Sequence, residues 1–429
     1  MAATTIYALS SGTLPAGVAV VRISGPKVPE LIPILTGSAQ LEPRFAALRS
    51  IRDADGSPID QALCLFFPAP ASFTGEDVLE VQLHGSRAVV AALFRRLEQI
   101  DGIVSADAGE FTMRAFLNGR IDLTAAEALS DLIVAETEEQ RKLALQNADG
   151  AQRRLYESWR AELLDIWARV EADLDFSDQD DVPLEFGDAL REQIAGLATR
   201  IERHVVGYKA AEIVNDGFHV VISGPPNAGK SSLLNTLVRR EAAIVTDLPG
   251  TTRDLIEVRL DVGGRLIRVT DTAGLRDAGD PVERIGIERA RAVSALADMT
   301  IFLDDGSVPV GALEPDIVRV TSKADLRVVA PGHLAISTVT GQGIPQLLEM
   351  IANAVDEKVS VYDTVPSKMR QVEHLTKSVV RMRVALDQTA PELIAEELRQ
   401  AATSLGRLTG MVDIEELLGN IFAKFCIGK

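Results

Sequence analysis

Lysine, serine, threonine and aspartate recur in this sequence at spacings that handle a polyphosphate. The stretch Val220-Val221-Ile222-Ser223-Gly224-Pro225-Pro226-Asn227-Ala228-Gly229-Lys230-Ser231-Ser232 reads as a short apolar strand, a Gly-x-x-x-x-Gly-Lys-Ser loop and the start of an apolar-periodic helix, Leu233-Leu234-Asn235. Glycines let backbone N–H groups approach phosphate oxygens, and the helix N-terminus adds partial positive charge. Lys230 would reach the terminal phosphates, and Ser231 would offer its hydroxyl to Mg²⁺. A chance Gly-Lys-Ser turn would lack the flanking strand and helix.

Two further segments complete a phosphate site. Val245-Thr246-Asp247-Leu248-Pro249-Gly250-Thr251-Thr252-Arg253-Asp254 places a threonine on a loop, where the Thr252 hydroxyl can join the Mg²⁺ shell only while the terminal phosphate is present. After a strand at Leu266–Val269 comes Asp271-Thr272-Ala273-Gly274. Asp271 would hold Mg²⁺ through water and the Gly274 N–H would meet the γ-phosphate. Asp-Thr-Ala-Gly alone is an ordinary turn; its place downstream of both loops gives it meaning.

Thr321-Ser322-Lys323-Ala324-Asp325 follows a strand at Ile317–Val320. A carboxylate at Asp325 can accept from the N1 and N2 donors of guanine, which adenine lacks, and the Lys323 stem can lie over the base. The usual motif is Asn-Lys-x-Asp. Ser322 replaces the asparagine, is shorter and bridges loops less well. Ile336-Ser337-Thr338 resembles a final base-contacting loop, with Thr338 in place of the common alanine. The connection from Asp304 to Pro315 leaves little room for a helix. The expected nucleotide contacts are therefore Asn227, Ala228, Gly229, Lys230, Ser231 and Ser232; Thr246, Asp247, Leu248, Pro249, Gly250, Thr251 and Thr252; Asp271, Thr272, Ala273 and Gly274; and Ser322, Lys323, Asp325, Ser337 and Thr338.

Leu275 stands where many switch GTPases carry the glutamine that orients water, and leucine cannot polarise water. Asn227 with the 246–251 loop suggests an oxygen-lined site for a monovalent cation, whose charge would replace an arginine finger. Glu283, in Val282-Glu283-Arg284-Ile285-Gly286, is the candidate water-orienting carboxylate. Pattern alone fits a solvated helix-start glutamate better.

The elements that must hold these groups are legible along the chain. Before residue 118, short apolar runs alternate with turns: strands at Val18–Ile23, Ala62–Phe67 and Val78–Leu83, and a helix at Ala88–Leu97, predict a small α+β domain. Arg22, Glu80 and Arg87 sit in or beside those strands, where together they could line a polar cleft. From Leu123 to about Phe176 the pattern is helical, with Leu155, Trp159, Leu163, Ile166, Val170 and Leu174 on one stripe. Thr124 and Glu127 form a capping-box pattern at its start. Asp173, Asp175, Asp178, Asp180 and Asp181 read as an exposed acidic linker more readily than as a metal site. A further helix spans about Ala189 to Ala211. From Ser367 onward a stripe of Met369, Val372, Leu375, Val379, Met382 and Leu386 is followed by helices after Pro391 and after Met411. These stripes predict one all-α bundle built from two separated segments, with the nucleotide domain inserted between them.

Composition narrows the partners. The 429 residues are 46% hydrophobic and 25% charged, enough for several cored domains. A formal net charge of −18 with 4% aromatics argues against a broad grip on nucleic acid. Two cysteines, Cys64 and Cys426, form no disulfide framework, which fits a reducing cytoplasm. No run long enough to span a membrane and no secretion signal is visible, and Cys426-Ile427-Gly428-Lys429 does not suit prenylation.

The chain resembles the MnmE (TrmE) family of tRNA modification GTPases over essentially its whole length. The resemblance rests on Arg22-Ile23-Ser24-Gly25, on Phe73-Thr74-Gly75-Glu76-Asp77-Val78-Leu79-Glu80 and on Arg114-Ala115-Phe116-Leu117-Asn118. It continues through residues 224–232, Glu241 to Asp247, Gly250-Thr251-Thr252-Arg253-Asp254, Asp271 to Arg276, Val282 to Ala290 and the terminal Phe425-Cys426-Ile427-Gly428-Lys429. It implies a multidomain α/β protein. Residues 1–118 would be an α+β folate-binding and dimerisation domain, 119–213 and 357–429 a discontinuous all-α helical bundle, and 214–356 an inserted Ras-like P-loop GTPase domain with a mixed, mostly parallel sheet.

By position, Arg22, Glu80, Arg120 and Lys429 would contact a 5-formyl- or methylene-tetrahydrofolate donor. Arginine stands at 120 where the family usually has lysine, which keeps charge but alters hydrogen-bond geometry. Cys426 would lie near this site. Asn227, Thr246, Leu248 and Thr251 would hold K⁺, Ser231 and Thr252 would hold Mg²⁺, and Glu283 would orient water. The resemblance further implies a homodimer whose G domains dock to hydrolyse GTP. With a MnmG-like flavoprotein in a heterotetramer, it would install an aminomethyl or carboxymethylaminomethyl group on carbon 5 of wobble uridine in certain tRNAs. The partner would supply most of the tRNA affinity. The rival expectations are a ribosome-assembly GTPase switch, which would lack the N-terminal segment and the Cys-Ile-Gly-Lys tail, and a folate-binding subunit with feeble turnover.

Overall fold

The computed structural model describes residues 4–175, 188–240, 242–244, 256–271, 297–305, 317–326, 334–359, 364–411 and 428. The chain divides into two compact units, residues 1–130 with 406–429 and residues 131–405.

In the first unit, strand β1 (Thr5–Leu9), β2 (Ala16–Ser24), helix α1 (Val28–Thr36), β3 (Ala47–Arg52), β4 (Pro58–Phe67), β5 (Val78–Gly85), α2 (Arg87–Glu98), β6 (Ile103–Ser105) and α3 (Glu110–Leu117) follow in order. The strands form a sheet in the order β3-β4-β5-β2-β1-β6, antiparallel except for the β1–β6 pair. Strand parity sorts the side chains. Ala19, Val21 and Ile23 of β2 and Leu79, Val81 and Leu83 of β5 are buried on one face, and they share a core with Leu31 and Leu35 of α1 and Leu93 and Leu97 of α2. Arg22 and Glu80 fall on the opposite face and pair in register. That face carries a smaller apolar cluster of Ile6, Ala8, Ala106 and Phe111, with Phe73 packed on it.

The predicted helical stretch 123–176 is three helices, α4 (Leu123–Val134), α5 (Glu138–Ala148) and α6 (Ala151–Asp175). The capping-box expectation at Thr124 is corrected: Asp122 Oδ1 accepts from the Thr124 and Ala125 N–H groups at 2.8 and 3.2 Å. A carboxylate just before the first turn reaches those orphan donors, and Thr124 already lies inside the helix. The capping box belongs to α5, where Thr137 and Gln140 satisfy each other's backbone. The helix expected over 189–211 is likewise two, α7 (Asp188–Val206) and α8 (Tyr208–Asp216). They break at Gly207, where a Cβ would lie 2.6 Å from Val365 Cγ1.

In the second unit β7 (Phe218–Ser223), α9 (Lys230–Arg240), β8 (Ala242–Ile244), β9 (Ile256–Val262), β10 (Arg265–Asp271), β11 (Met299–Asp304), β12 (Ile317–Thr321), β13 (Leu334–Ala335) and α10 (Ile344–Val359) build the second sheet and its helices. The order is β13-β12-β11-β7-β10-β9-β8, parallel from β13 through β10 and antiparallel at β9 and β8. Val220, Ile222, Ile301, Leu303, Ile267 and Val269 are fully buried, as central parallel strands covered on both faces must be.

The chain then returns to helices α11 (Met369–Asp387) and α12 (Pro391–Thr409). Pro391 opens α12, where its missing N–H would be unpaired in any case. Helix α11 packs on α7, and Arg383 holds Glu202 at 2.9 Å while Arg191 donates to Leu386 O and Gln388 O. Segments from either side of the nucleotide sheet thus share one helical core. Leu375, Val379 and Met382 are buried in it, but Met369 is 52% exposed because it stands at the first position of the helix. The helix expected after Met411 lies outside the described residues.

Candidate functional site

The sheet order makes β7 a topological switch point, since its neighbours β11 and β10 lie on opposite sides. Ligands of open α/β sheets bind where the carboxyl ends of such strands diverge. The phosphate loop leaves β7 there. Gly224 takes φ +141°, and a Cβ on it would lie 2.5 Å from Leu303 O, so only glycine lets the loop pass β11. Asn227 is left-handed at φ 63°, an uncommon conformation that asparagine tolerates. Gly229 O accepts from Leu233 N–H at 2.8 Å, opening α9.

Lys230 is 6% exposed, and its Nζ donates to Gly224 O at 3.1 Å and Pro225 O at 2.9 Å. The ammonium is therefore held at the mouth of its own loop, beside the backbone that would surround a phosphate chain. Ser231 Oγ donates to Asp271 Oδ2 at 2.7 Å. Asp271 is 2% exposed at the last position of β10, level with Ile222 of β7. A neutral hydroxyl and a carboxylate in contact supply hard oxygen donors of the kind Mg²⁺ takes. Ala228 is buried, whereas Asn227 in the loop and Ser231 and Ser232 in the first turn of α9 are exposed.

The base-side turns stand at the ends of the neighbouring strands. Ser322 is 4% exposed; its N–H and hydroxyl both donate to Asp304 O, at 2.9 and 3.4 Å. Lys323 is left-handed at φ 57°, and Asp325 is exposed. Ala324 N–H donates to Ile336 O at 3.0 Å, tying this turn to the next loop. There Ser337 Oγ accepts from Val339 and Thr340 N–H groups at 3.3 and 3.2 Å, and Thr338 is half-buried. The Arg319–Asp304 ion pair at 2.7 Å, which braces β12 against β11, escaped the sequence reading. Its only sequence signal is an aspartate closing an apolar strand.

Thr246, Asp247, Leu248, Pro249, Gly250, Thr251, Thr252, Thr272, Ala273, Gly274 and Glu283 lie outside the described residues, as do Cys426 and Lys429. The four oxygen ligands expected for K⁺ are thus represented by Asn227 alone, and the Mg²⁺ pair by Ser231.

In the first unit, Arg22 Nη2 meets Glu80 Oε1 at 2.8 Å, with the guanidinium over Phe73 and Phe111 at 5.6 and 5.9 Å. Arg87 does not join them; it donates to Leu14 O. Arg120 is exposed, its stem against Gly75. Gly428 packs against Leu9 O and accepts from Ser10 Oγ at 2.8 Å, so Gly428 lies beside the strand whose Ala8 pairs with Arg22. A second charged group went unassigned by the sequence reading. Arg114 bridges Glu76 and Glu110 at 3.1 and 2.8 Å, and Glu76 accepts from Ser24 Oγ at 2.7 Å. Only the Glu110/Arg114 spacing of four hinted at it.

Among the described residues no cluster of His, Cys, Asp and Glu could hold a metal by itself, and no helix is long and apolar enough to cross a membrane.

The family model of the GTP-binding protein TrmE N-terminus matches residues 5–120, and that of the MnmE helical domain matches residues 123–426. A tRNA modification GTPase MnmE from Mesorhizobium japonicum is 50% identical, the match covering 99% of this chain and 99% of the relative. One from Brucella anthropi is also 50% identical, over 99% of this chain and 98% of its own length. The G domain of the T. maritima FeoB iron transporter is 24% identical over 32% of this chain and 98% of its own, at a TM-score of 0.25, so the nucleotide fold is read from the strand order itself. With two family models spanning nearly the whole sequence and relatives half-identical from end to end, the chain belongs to the MnmE family of tRNA modification GTPases.

Proposed function

We propose that this chain binds and hydrolyses GTP, and that turnover drives modification of tRNA at carbon 5 of the wobble uridine. One observation carries the reading: Lys230 and Ser231 stand at the carboxyl end of β7 with Asp271 against Ser231, in a chain half-identical to tRNA modification GTPases. The loop backbone and Lys230 would bind and neutralise the phosphates, and Asp325 would select guanine through its N1 and N2 donors.

Ser231 and Thr252 would hold Mg²⁺, with Asp271 in the next shell; the metal supplies charge neutralisation at the phosphates. Asn227, with Thr246, Leu248 and Thr251, would hold K⁺ in place of an arginine finger, and Glu283 would orient water in place of the missing glutamine. The left-handed turn at Asn227 supports this role by setting its side chain at the outer edge of the loop.

Residues 1–118 would bind a tetrahydrofolate one-carbon donor through Arg22, Glu80, Arg120 and Lys429 and form the homodimer. Residues 119–213 and 357–429 would make the helical domain around a G domain at 214–356. A MnmG-like flavoprotein would share the work. The charge of −18 favours a division in which that partner would grip the tRNA, and both proteins would act in the cytoplasm.

The test is GTP turnover by the full chain in K⁺ and in Na⁺. A steep rise in K⁺ is expected, with Glu283→Ala retaining GTP affinity but losing turnover. Equal rates in the two salts would remove the cation assignment, and loss of binding in Glu283→Ala would remove the role given to Glu283.

A further inference from the structure

We propose that Glu76, held by Arg114, is a positioning residue for the one-carbon donor site: it fixes the 72–77 loop on which Arg22 and Arg120 are seated. The proposal rests on the folate reading above. A tetrahydrofolate carries adjacent N–H donors on its 2-amino-4-oxo ring, which suit a carboxylate, and carboxylates on its glutamate tail, which suit a guanidinium. The Arg22–Glu80 pair offers both kinds of partner.

The loop joins β4 to β5 and touches both arginines. The Phe73 ring lies under the Arg22 guanidinium at 5.6 Å. Gly75, left-handed at φ 79°, meets the Arg120 stem, and a Cβ there would lie 3.2 Å from Arg120 Cγ. Between them Thr74 is fully buried, held in a closed ring of hydrogen bonds. Glu76 N–H donates to Thr74 Oγ1 at 3.3 Å, and Ser24 Oγ donates to Glu76 Oε2 at 2.7 Å. A carboxylate only accepts, so the Ser24 proton is committed there and Thr74 donates across the 2.7 Å contact between the two hydroxyls.

Helix α3 braces this ring. Arg114 Nη1 reaches Glu76 Oε2 at 3.1 Å while its Nη2 is held by Glu110 at 2.8 Å, and Asn118 Nδ2 donates to Thr74 O at 2.7 Å. The same helix supplies Phe111, the second ring under Arg22. Glu76 and Arg114 act without touching the ligand. They set where the Arg22 and Arg120 cations stand before it arrives, and a preorganised site binds more tightly.

The experiment measures the affinity of 5-formyl-tetrahydrofolate for the full chain, Glu76→Gln, Arg22→Lys and the double variant, with GTP affinity read alongside as a check on folding. Glu76→Gln keeps the size of the side chain and an acceptor for Ser24 but removes the charge that holds Arg114. It binds the folate about tenfold more weakly than the natural protein, the worth of one charge-assisted hydrogen bond, with GTP affinity unchanged. Lysine at position 22 has no flat guanidinium to rest on Phe73, so in the Arg22→Lys background the same change weakens binding by less than about twofold. General loosening of the domain would weaken both backgrounds alike. Folate affinity within twofold of the natural value in Glu76→Gln overturns the proposal, and so does an equal factor in the two backgrounds. Where Glu76→Gln does not fold, Arg114→Lys, which loses the fork joining Glu76 to Glu110, is held to the same two factors. A natural chain that binds no folate would instead overturn the folate reading itself, so the two failures are told apart.

Discussion

Ser231 Oγ and Asp271 Oδ2 lie 2.7 Å apart, joining the first turn of α9 to the last residue of β10. The two residues are 40 positions apart in sequence, and the parallel pairing of β7 with β10 brings them together. This contact ties the phosphate loop to the strand that leads into Asp271-Thr272-Ala273-Gly274.

Lys230 is buried with its ammonium on Gly224 O and Pro225 O. Lys230→Ala is expected to weaken GTP binding and to lower turnover by on the order of 10²-fold, since phosphate charge loses its principal counter-charge. Thermal stabilisation by tetrahydrofolate should survive in the same variant. Turnover within twofold of the natural protein would contradict the role of Lys230.

Gly224→Ala places a Cβ 2.5 Å from Leu303 O in a backbone at φ +141°. The clash is with backbone, so β7 and β11 must part or the loop must refold. A destabilisation of about 2–4 kcal/mol is expected in denaturant unfolding. Gly12→Ala, with nothing within 4 Å of the added atom, should fall within about 0.5 kcal/mol of the natural protein.

His204 sits against Tyr156 and Trp159, with ring centroids 5.6 and 5.0 Å away, and Tyr156 Oη is 3.2 Å from its Nε2. Burial drives its pKa down to about 4, while a hydrogen bond with the Thr364 backbone acts the other way. Its unfolded value is near 6.5, so between about pH 6.5 and 4 the unfolded state binds the proton and the folded state does not. The contribution of this site to stability is therefore complete above pH 6.5 and is lost as pH falls towards 4. Melting temperature should drop less between pH 7 and pH 5 in His204→Gln than in the natural protein; an equal drop would show that His204 is not the titrating group.

Arg22 and Glu80 face each other across β2 and β5 above Phe73 and Phe111. Formyl-tetrahydrofolate at a hundredfold excess over its Kd should raise stability by about 2.7 kcal/mol. Arg22→Ala should abolish most of that gain, and an undiminished shift would place the ligand elsewhere.

Much of this architecture is legible in the chain because its cause is local. The run Val220 to Lys230 announces strand, turn and helix through apolar residues and glycine, and parity alone sets Arg22 and Glu80 on the face opposite Val21 and Val81. Other features depend on partners that sequence cannot rank. Thr124 and Glu127 satisfy a capping pattern, yet the helix starts one residue before Thr124, and the Asp122 carboxylate makes the cap on the Thr124 and Ala125 N–H groups. Ser322 reads as a loss of asparagine, but its attachment to Asp304 depends on the β11–β12 pairing. Gly207 looks like one residue of a long helix until Val365, remote in sequence, occupies the space of its side chain.

The most direct measurement is nucleoside analysis of tRNA from cells lacking this gene, complemented by the natural chain or by Lys230→Ala. The account predicts that the carbon-5 substituent of wobble uridine disappears in the deletion, returns with the natural chain and stays absent with Lys230→Ala. Wobble uridines that keep their substituent in the deletion, or regain it with Lys230→Ala, would contradict it.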